Sequence, residues 1–286
     1  MFAIIGINGN TGSAAANALL DSGHSVRALV RDPARAAAWR ERGVELITGD
    51  VTDEDALART FDGVQGAYAL VPPNPHHPEP LTYYREVATA LRTSAGAAGL
   101  ERLVFLSSEG AHLPAGTGPI LGSHFAEEIL AGAIQHVTFL RPSFFQQNWR
   151  AVLGLAREQG ILPSMLQPLD ARRPQVATAD IGETAAALLT ETAPPMIVEL
   201  AGPEDRSAND AAEAMAHALG RDVAAVPVPR EAWEKTLAGA GLGRAYAKLL
   251  AEMYDGINSG HVCFSGAADT RRGRRTLEET VHSWAG

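Results

Sequence analysis

The run Gly6-Ile7-Asn8-Gly9-Asn10-Thr11-Gly12 sits between the apolar stretch Phe2–Gly6 and an alanine-rich stretch, and it constrains the chain more than any other feature. Glycines at a strand-to-helix junction permit a tight turn and a close approach of backbone to pyrophosphate. The helix start then supplies free N–H groups and the positive end of its dipole. A glycine turn alone can be a purely steric device. Its place at residue 6, ahead of several strand-helix units, makes Gly6, Asn8, Gly9, Asn10, Thr11 and Gly12 the expected floor of a nucleotide site.

The rest of the first half supports this reading. Short continuous apolar runs at Phe2–Gly6, Ser25–Val30, Val44–Thr48, Val64–Val71, Arg102–Ser107 and His136–Leu140 alternate with helical patterns at Gly12–Asp21, Pro33–Arg42, Asp53–Thr60, Leu81–Ala98 and about 122–131. Strands that are apolar throughout are buried on both faces, as in a parallel sheet covered by helices. The expected fold is α/β, a Rossmann-type doubly wound parallel sheet with a small, mostly helical C-terminal substrate lobe. Residues 1–145 form the nucleotide domain, completed by a helix and strand from about 176–200. Residues 146–175 and 201–270 form the lobe, and 271–286 a C-terminal helix. Ser207-x-x-Asp210 and Thr276-x-x-Glu279 mark helix starts.

Composition removes several function classes. Thirty-three acidic against twenty-four basic residues give a net charge of −9, with no concentrated basic block, so nucleic acid is not the expected partner. No stretch approaches the ~20 apolar residues that cross a bilayer, and MFAIIG carries no basic leader, so a cytoplasmic protein is expected. The lone Cys263 forms neither an intrachain disulfide nor a multi-cysteine metal site. Both lysines, Lys235 and Lys248, fall in the last fifth of the chain, which rules out an N-terminal catalytic lysine. Partners reduce to a small-molecule substrate, with a homodimer left open.

The end of the second strand chooses the cofactor. An acid about 20 residues beyond the glycine turn holds the ribose of NAD, whereas arginine suits the 2′-phosphate of NADP. Here the chain reads Val30-Arg31-Asp32-Pro33, with Arg27 and Arg35 nearby. Arg31 and Arg35 therefore point to NADPH, while Asp32 leaves NADH open. Asp50 and Val51, ending the third strand, are placed against adenine, though Asp50 also suits a helix cap.

The glycine turn, Val-Arg-Asp-Pro after strand two, Gly49-Asp50 after strand three and Phe105-Leu106-Ser107-Ser108 at strand five resemble the NmrA-like atypical short-chain dehydrogenases/reductases. So do Leu140-Arg141-Pro142-x-Phe144-Phe145-x-x-Asn148 and a C-terminal Arg-Arg-Thr-Leu-Glu-Glu-Thr. The resemblance covers nearly the whole chain and points to the quinone-oxidoreductase and azoreductase branch. It implies an extended Rossmann domain binding NADP(H), with a lobe forming the far wall of a substrate cleft. Leu70, Val71 and Pro72 at the end of strand four, and Pro142 and Phe144 after strand six, are then expected along the cofactor. Phe144 again, with Phe145, Asn148 and His76, is expected at the substrate.

Ordinary short-chain dehydrogenases use Tyr-x-x-x-Lys, and this chain has Ile120 and His124 in those places. No tyrosine lies between Tyr84 and Tyr246, so no small shift of alignment restores the pair. His124 with Glu128 resembles the His-x-x-x-Glu of the quinone-reductase branch, where the imidazole would contact ribose or carboxamide. The competing expectation is a histidine partly buried and bonded to a backbone carbonyl. Ser107 is either a group facing the nicotinamide or a turn cap. Tyr83 and Tyr84 are further candidate proton donors, or packing. His76-His77 between prolines lacks convergent partners, so no metal is expected. In the lobe, Trp149, Met165, Trp233, Tyr246 and Met253 offer an apolar wall or simply core.

The function expected is NAD(P)H-dependent hydride transfer to a conjugated small molecule such as a quinone, enone or natural-product intermediate, without a Tyr-Lys pair. A non-catalytic NADP(H) sensor acting on a protein partner is the main alternative. A redox-neutral enzyme that retains the nucleotide is another. An open apolar pocket beside Phe144 and Phe145 favours the enzyme, a filled one the sensor.

Overall fold

Apolar strand runs and small-residue helices assemble as their patterns require. In the computed structural model, which describes residues 1–266 and 269–285, β1 (Phe2–Ile5), α1 (Asn10–Asp21), β2 (Val26–Val30), α2 (Ala37–Glu41), β3 (Glu45–Thr48), α3 (Glu54–Phe61), β4 (Ala67–Ala69), α4 (Pro80–Ala97), β5 (Arg102–Leu106), α5 (Ile120–Leu130) and β6 (His136–Pro142) follow in alternation. The chain then continues through β7 (Phe144–Phe145), α6 (Leu153–Gln159), β8 (Ile161–Ser164), β9 (Arg173–Val176), α7 (Thr178–Thr190) and β10 (Ile197–Ala201). It closes with β11 (Asp205–Arg206), α8 (Ala208–Leu219), β12 (Ala224–Pro227), α9 (Trp233–Gly239), α10 (Arg244–Asn258), β13 (Asp269–Arg272) and α11 (Leu277–Ala285).

The main sheet has eight strands in the order β13-β10-β6-β5-β4-β1-β2-β3, and every pairing in it is parallel. This is the Rossmann-like α/β fold read from the sequence. Strand order reverses between β1 and β4, and the carboxyl ends at such a point form the crevice in which open α/β sheets bind ligands. One sheet face buries Ala15, Ala16 and Leu19 of α1 with Ile181 and Ala185 of α7; the other buries Leu57 of α3, Leu91 of α4 and Leu130 of α5. A separate core joins Trp149, Leu162, Met215, Ile257 and Val281 in the C-terminal lobe. Beside it, β9 pairs with β7 in parallel and with β11 antiparallel, and β8 pairs with β12.

Two strand arginines close helix ends. Arg27 donates to the carbonyls of Arg59 at 3.2 Å and Asp62 at 2.6 Å, and lies 3.0 Å from Glu45. Arg102 donates to the carbonyls of Leu189 at 3.2 Å and of Glu191 at the end of α7. Such cations answer the unpaired carbonyls and negative dipole of a helix C-terminus. Arg27 is thereby removed from the nucleotide site. The C-terminal segment is pinned to α7: buried Asp180 accepts from the backbone N–H of Arg274 and Arg275 at 3.0 and 2.9 Å, and Arg275 also reaches Glu183 at 2.5 Å. Both expected helix starts carry reciprocal capping, Ser207 with Asp210 and Thr276 with Glu279.

Candidate functional site

The glycine turn is shaped by contacts that admit no side chain. Gly6 has φ of +84°, the left-handed region that favours glycine. A Cβ on Gly12 would stand 2.2 Å from the Gly6 carbonyl oxygen, so α1 packs directly on the end of β1. No side chain caps α1 at Gly9, which leaves its first N–H groups turned toward the crevice. Behind the turn, the buried Tyr68 hydroxyl donates to Thr11 Oγ1 at 2.8 Å and fixes the helix start.

From this floor a cleft of about 920 Å³ runs between the sheet edge and the lobe. Gly6, Asn8, Gly9, Asn10 and Thr11 line it, whereas Gly12 stands behind as packing. At one end lie Arg31, Asp32 and Arg35, with Asp50 and Val51 beside them. Asp32 Oδ1 accepts from the Ala34 N–H at 2.9 Å, and Asp50 Oδ1 from the Thr52 hydroxyl at 3.1 Å, so both acids also serve as local turn caps. Leu70, Val71 and Pro72 line the middle. At the far end come Ser107, Phe144, Phe145 and Asn148, faced across the gap by Tyr246 and Met253 of α10. Trp149 and Trp233 are core instead, their indole N–H groups bonded to Gln175 at 2.8 Å and the Val228 carbonyl at 2.7 Å.

Besides Gly12, three expected site residues lie outside the lining. His124 is not among the lining residues; α5 presents Ile120 and Ser123 to the cleft. Its Nδ1 lies 2.8 Å from the Ala111 carbonyl and its Nε2 3.6 Å from Glu128, so the ring ties the helix to the preceding loop. The backbone-bonded ring is the arrangement that the competing expectation described. Pro142 is buried at the end of β6, its carbonyl accepting from the Glu109 N–H at 3.0 Å, and does not line the cleft. His76 is exposed on the proline loop, outside the lining; that loop is held to the lobe by the Gly243 N–H on the Pro75 carbonyl at 2.9 Å.

Ser107 does reach the cleft, with a constraint on its chemistry. Its hydroxyl donates to Glu127, which Arg141 grips at 2.8 and 2.5 Å. Ser107 therefore offers acceptor lone pairs rather than a proton. Tyr83 also lines the cleft, but at the end shared with Asp50 and Arg31; burial, then Asp50, raises its hydroxyl above the ordinary phenol range.

Sequence reasoning missed Glu109, Thr178, Leu250 and Ile257, which line the same space as the expected Tyr84. Glu109 follows the Ser-Ser at the end of β5, where an acid reads as an ordinary surface turn. It is only 8% exposed. Burial pushes its carboxyl up to about 8, Glu199 and Asp205 adding to the rise while the Phe144 backbone N–H and Arg173 oppose it. Among the described residues, no group of three or more His, Cys, Asp or Glu could hold a metal ion.

A model of the NmrA-like family matches residues 1–265. The chain is 27% identical over 258 residues to an NAD(P)H azoreductase of Xenophilus azovorans, spanning 89% of this chain and 86% of that protein. It is 26% identical over 266 residues to quinone oxidoreductase 2 of Escherichia coli (strain K12), spanning 91% of this chain and 89% of that one. In fold it is similar to the crystal structure of an Escherichia coli NADPH-dependent quinone oxidoreductase complexed with NADPH, with a TM-score of 0.84, 22% identity and full coverage of both chains.

Proposed function

The chain belongs to the NmrA-like family, and from that premise we propose that it is an NADPH-dependent oxidoreductase that reduces a flat, conjugated small molecule such as a quinone, an enone or an azo compound. The observation that carries this reading is one continuous cleft. It joins an uncapped glycine turn and a pair of arginines at one end to an aromatic wall facing α10 at the other. Relatives named for NAD(P)H-dependent azo and quinone reduction, aligned over most of their length, support it.

The residues present fit NADPH. The N–H groups at the start of α1 would hold the pyrophosphate, and Arg31 and Arg35 the 2′-phosphate. Asp50 and Val51 would flank the adenine. Ser107, its hydrogen committed to Glu127, would accept from the carboxamide N–H₂. When bound, NADPH supplies a hydride from its nicotinamide ring. Phe144, Phe145, Tyr246 and Met253 then stack and orient a planar acceptor and keep water from it, so that positioning provides much of the rate. A conjugated acceptor suits this site because it spreads the incoming charge without a Tyr-Lys pair.

The test follows nicotinamide absorbance as purified protein and NADPH or NADH meet a panel of quinones, enones, azo compounds and simple aldehydes. Saturable oxidation confined to the conjugated members supports the reading. Tight NADPH binding with no oxidation by any of them overturns it in favour of a sensor.

A further inference from the structure

A reduction of this kind needs a proton as well as a hydride, and the usual tyrosine is missing. Ser107, His124, Tyr83 and the cleft's other phenols are each committed, badly placed or too weak an acid. The Ser107 hydrogen goes to Glu127. Both ring nitrogens of His124 face Ala111 and Glu128 outside the cleft. Tyr83 sits by Asp50 and Arg31 at the opposite end. Burial pushes the phenols of Tyr84 and Tyr246 above their ordinary range, making them weaker acids still.

Glu109 differs from all of these. It stands two residues beyond Ser107 in the cleft wall, its backbone N–H held by the Pro142 carbonyl at 3.0 Å and that of Gly110 by the Cys263 carbonyl at 3.1 Å. The β5 end is thus clamped between β6 and the lobe, and the Phe144 N–H approaches the Glu109 carboxyl. Among the described residues no cation forms an ion pair with it. Arg173 of β9 faces it and opposes the rise, but its hydrogen bonds go to the carbonyls of Ala171 at 3.2 Å and Gln167 at 2.7 Å rather than to the Glu109 carboxyl. The other charged groups facing it, Glu199 of β10 and Asp205 of β11, are acids. A buried carboxyl with acidic neighbours and no paired cation keeps its proton, and a carboxyl that keeps its proton at neutral pH is a hydrogen-bond donor.

We propose that Glu109 is the proton donor of this site, giving its carboxyl hydrogen to the oxygen of a conjugated carbonyl acceptor as hydride arrives at that acceptor. The proposal rests on the reductase reading. In the balanced step the C4–H bond of dihydronicotinamide breaks and its two electrons leave with the hydrogen, which forms a new C–H bond at an electron-poor carbon of the acceptor. The Glu109 O–H bond breaks and a new O–H bond forms on the acceptor. NADP⁺, the dihydro product and the Glu109 carboxylate remain, and the carboxylate recovers its proton from water through the open cleft.

The experiment compares wild type and Glu109→Gln with NADPH and 1,4-naphthoquinone, alongside infrared spectra of the cofactor-free proteins. Near-isosteric Glu109→Gln should bind NADPH as wild type does, which also reports its fold, and lose about 10²-fold in kcat. Wild-type kcat should fall as pH rises through about 8, and the variant should lack that limb. The infrared difference between wild type and Glu109→Gln should contain a protonated-carboxyl C=O band at about pH 6 that vanishes at about pH 10. Unchanged kcat and pH profile in Glu109→Gln, or no such band, would each overturn the assignment while leaving the reductase reading intact. A wild type that oxidises no NADPH removes that reading, and the donor role with it.

Discussion

Ser107 gives its hydroxyl hydrogen to Glu127, so the serine at the end of β5 is fastened to a charge pair inside the fold rather than standing free in the cleft. The Glu127 and Arg141 side chains are 10% and 5% exposed. Removing one partner of such a pair strands the other charge in a low-dielectric setting. Glu127→Ala should therefore cost roughly 3–5 kcal/mol of stability, read as a lower urea midpoint. Ser107→Ala removes one hydrogen bond and should cost about 1 kcal/mol. Equal, small losses from the two variants would mean that the pair is solvated and that Ser107 is not anchored by it.

Arg31 and Arg35 stand at the cleft end where Asp32 is already bonded to the Ala34 N–H. An arginine there discriminates by the 2′-phosphate that NADH lacks. Arg31→Ala should weaken NADPH binding about 10- to 100-fold, the worth of a charge-assisted hydrogen bond, and leave NADH nearly unchanged. Cofactor titration by nicotinamide fluorescence gives both constants, and parallel losses for the two nucleotides would remove Arg31 from the phosphate.

His124 should behave as a structural residue. Its ring joins α5 to the loop at Ala111, so His124→Ala should lower stability by about 1 kcal/mol. NADPH affinity and turnover should stay close to wild type. A loss of NADPH affinity beyond about 10-fold without a matching loss of stability would return the imidazole to the cofactor.

The contrast between His124 and Ser123 marks where sequence reading runs out. Strand-helix alternation is carried by apolar periodicity, so β1 to β6 and their helices were legible, with most ends within a residue or two and β4 and α2 shorter than read, as was the glycine turn, whose spacing is itself the steric requirement. Which face of α5 meets the cleft depends on packing against α4, and one residue of rotation exchanges Ser123 for His124. The strand β13 was illegible for another reason. Asp269-Thr270-Arg271-Arg272 is polar because it is a sheet edge, with Arg271 reaching Glu191 at 3.0 Å and Arg272 the Gly202 carbonyl at 2.9 Å. Glu109 was hidden because the groups that hold it, the Pro142 carbonyl of β6 and the Phe144 N–H, are distant in the chain.

Glu109 also carries a stability signature that needs no substrate. The unfolded chain releases this proton near the ordinary carboxylate value of 4.5, whereas the folded chain holds it up to about 8. Between those values the native state binds more protons than the unfolded state, so this group's contribution falls as pH rises, and above about 8 the slope ends. The sign is opposite to that of Glu183, which Arg275 and Arg274 hold below the usual range and whose contribution is lost as pH falls. Glu109→Gln cannot titrate. Relative to wild type it should therefore gain about 1 kcal/mol of stability per pH unit across that window, measured as urea unfolding free energy at several pH values. Stability curves that run parallel from pH 5 to pH 8 would show that the carboxyl is solvated in the native protein and has no unusual hold on its proton.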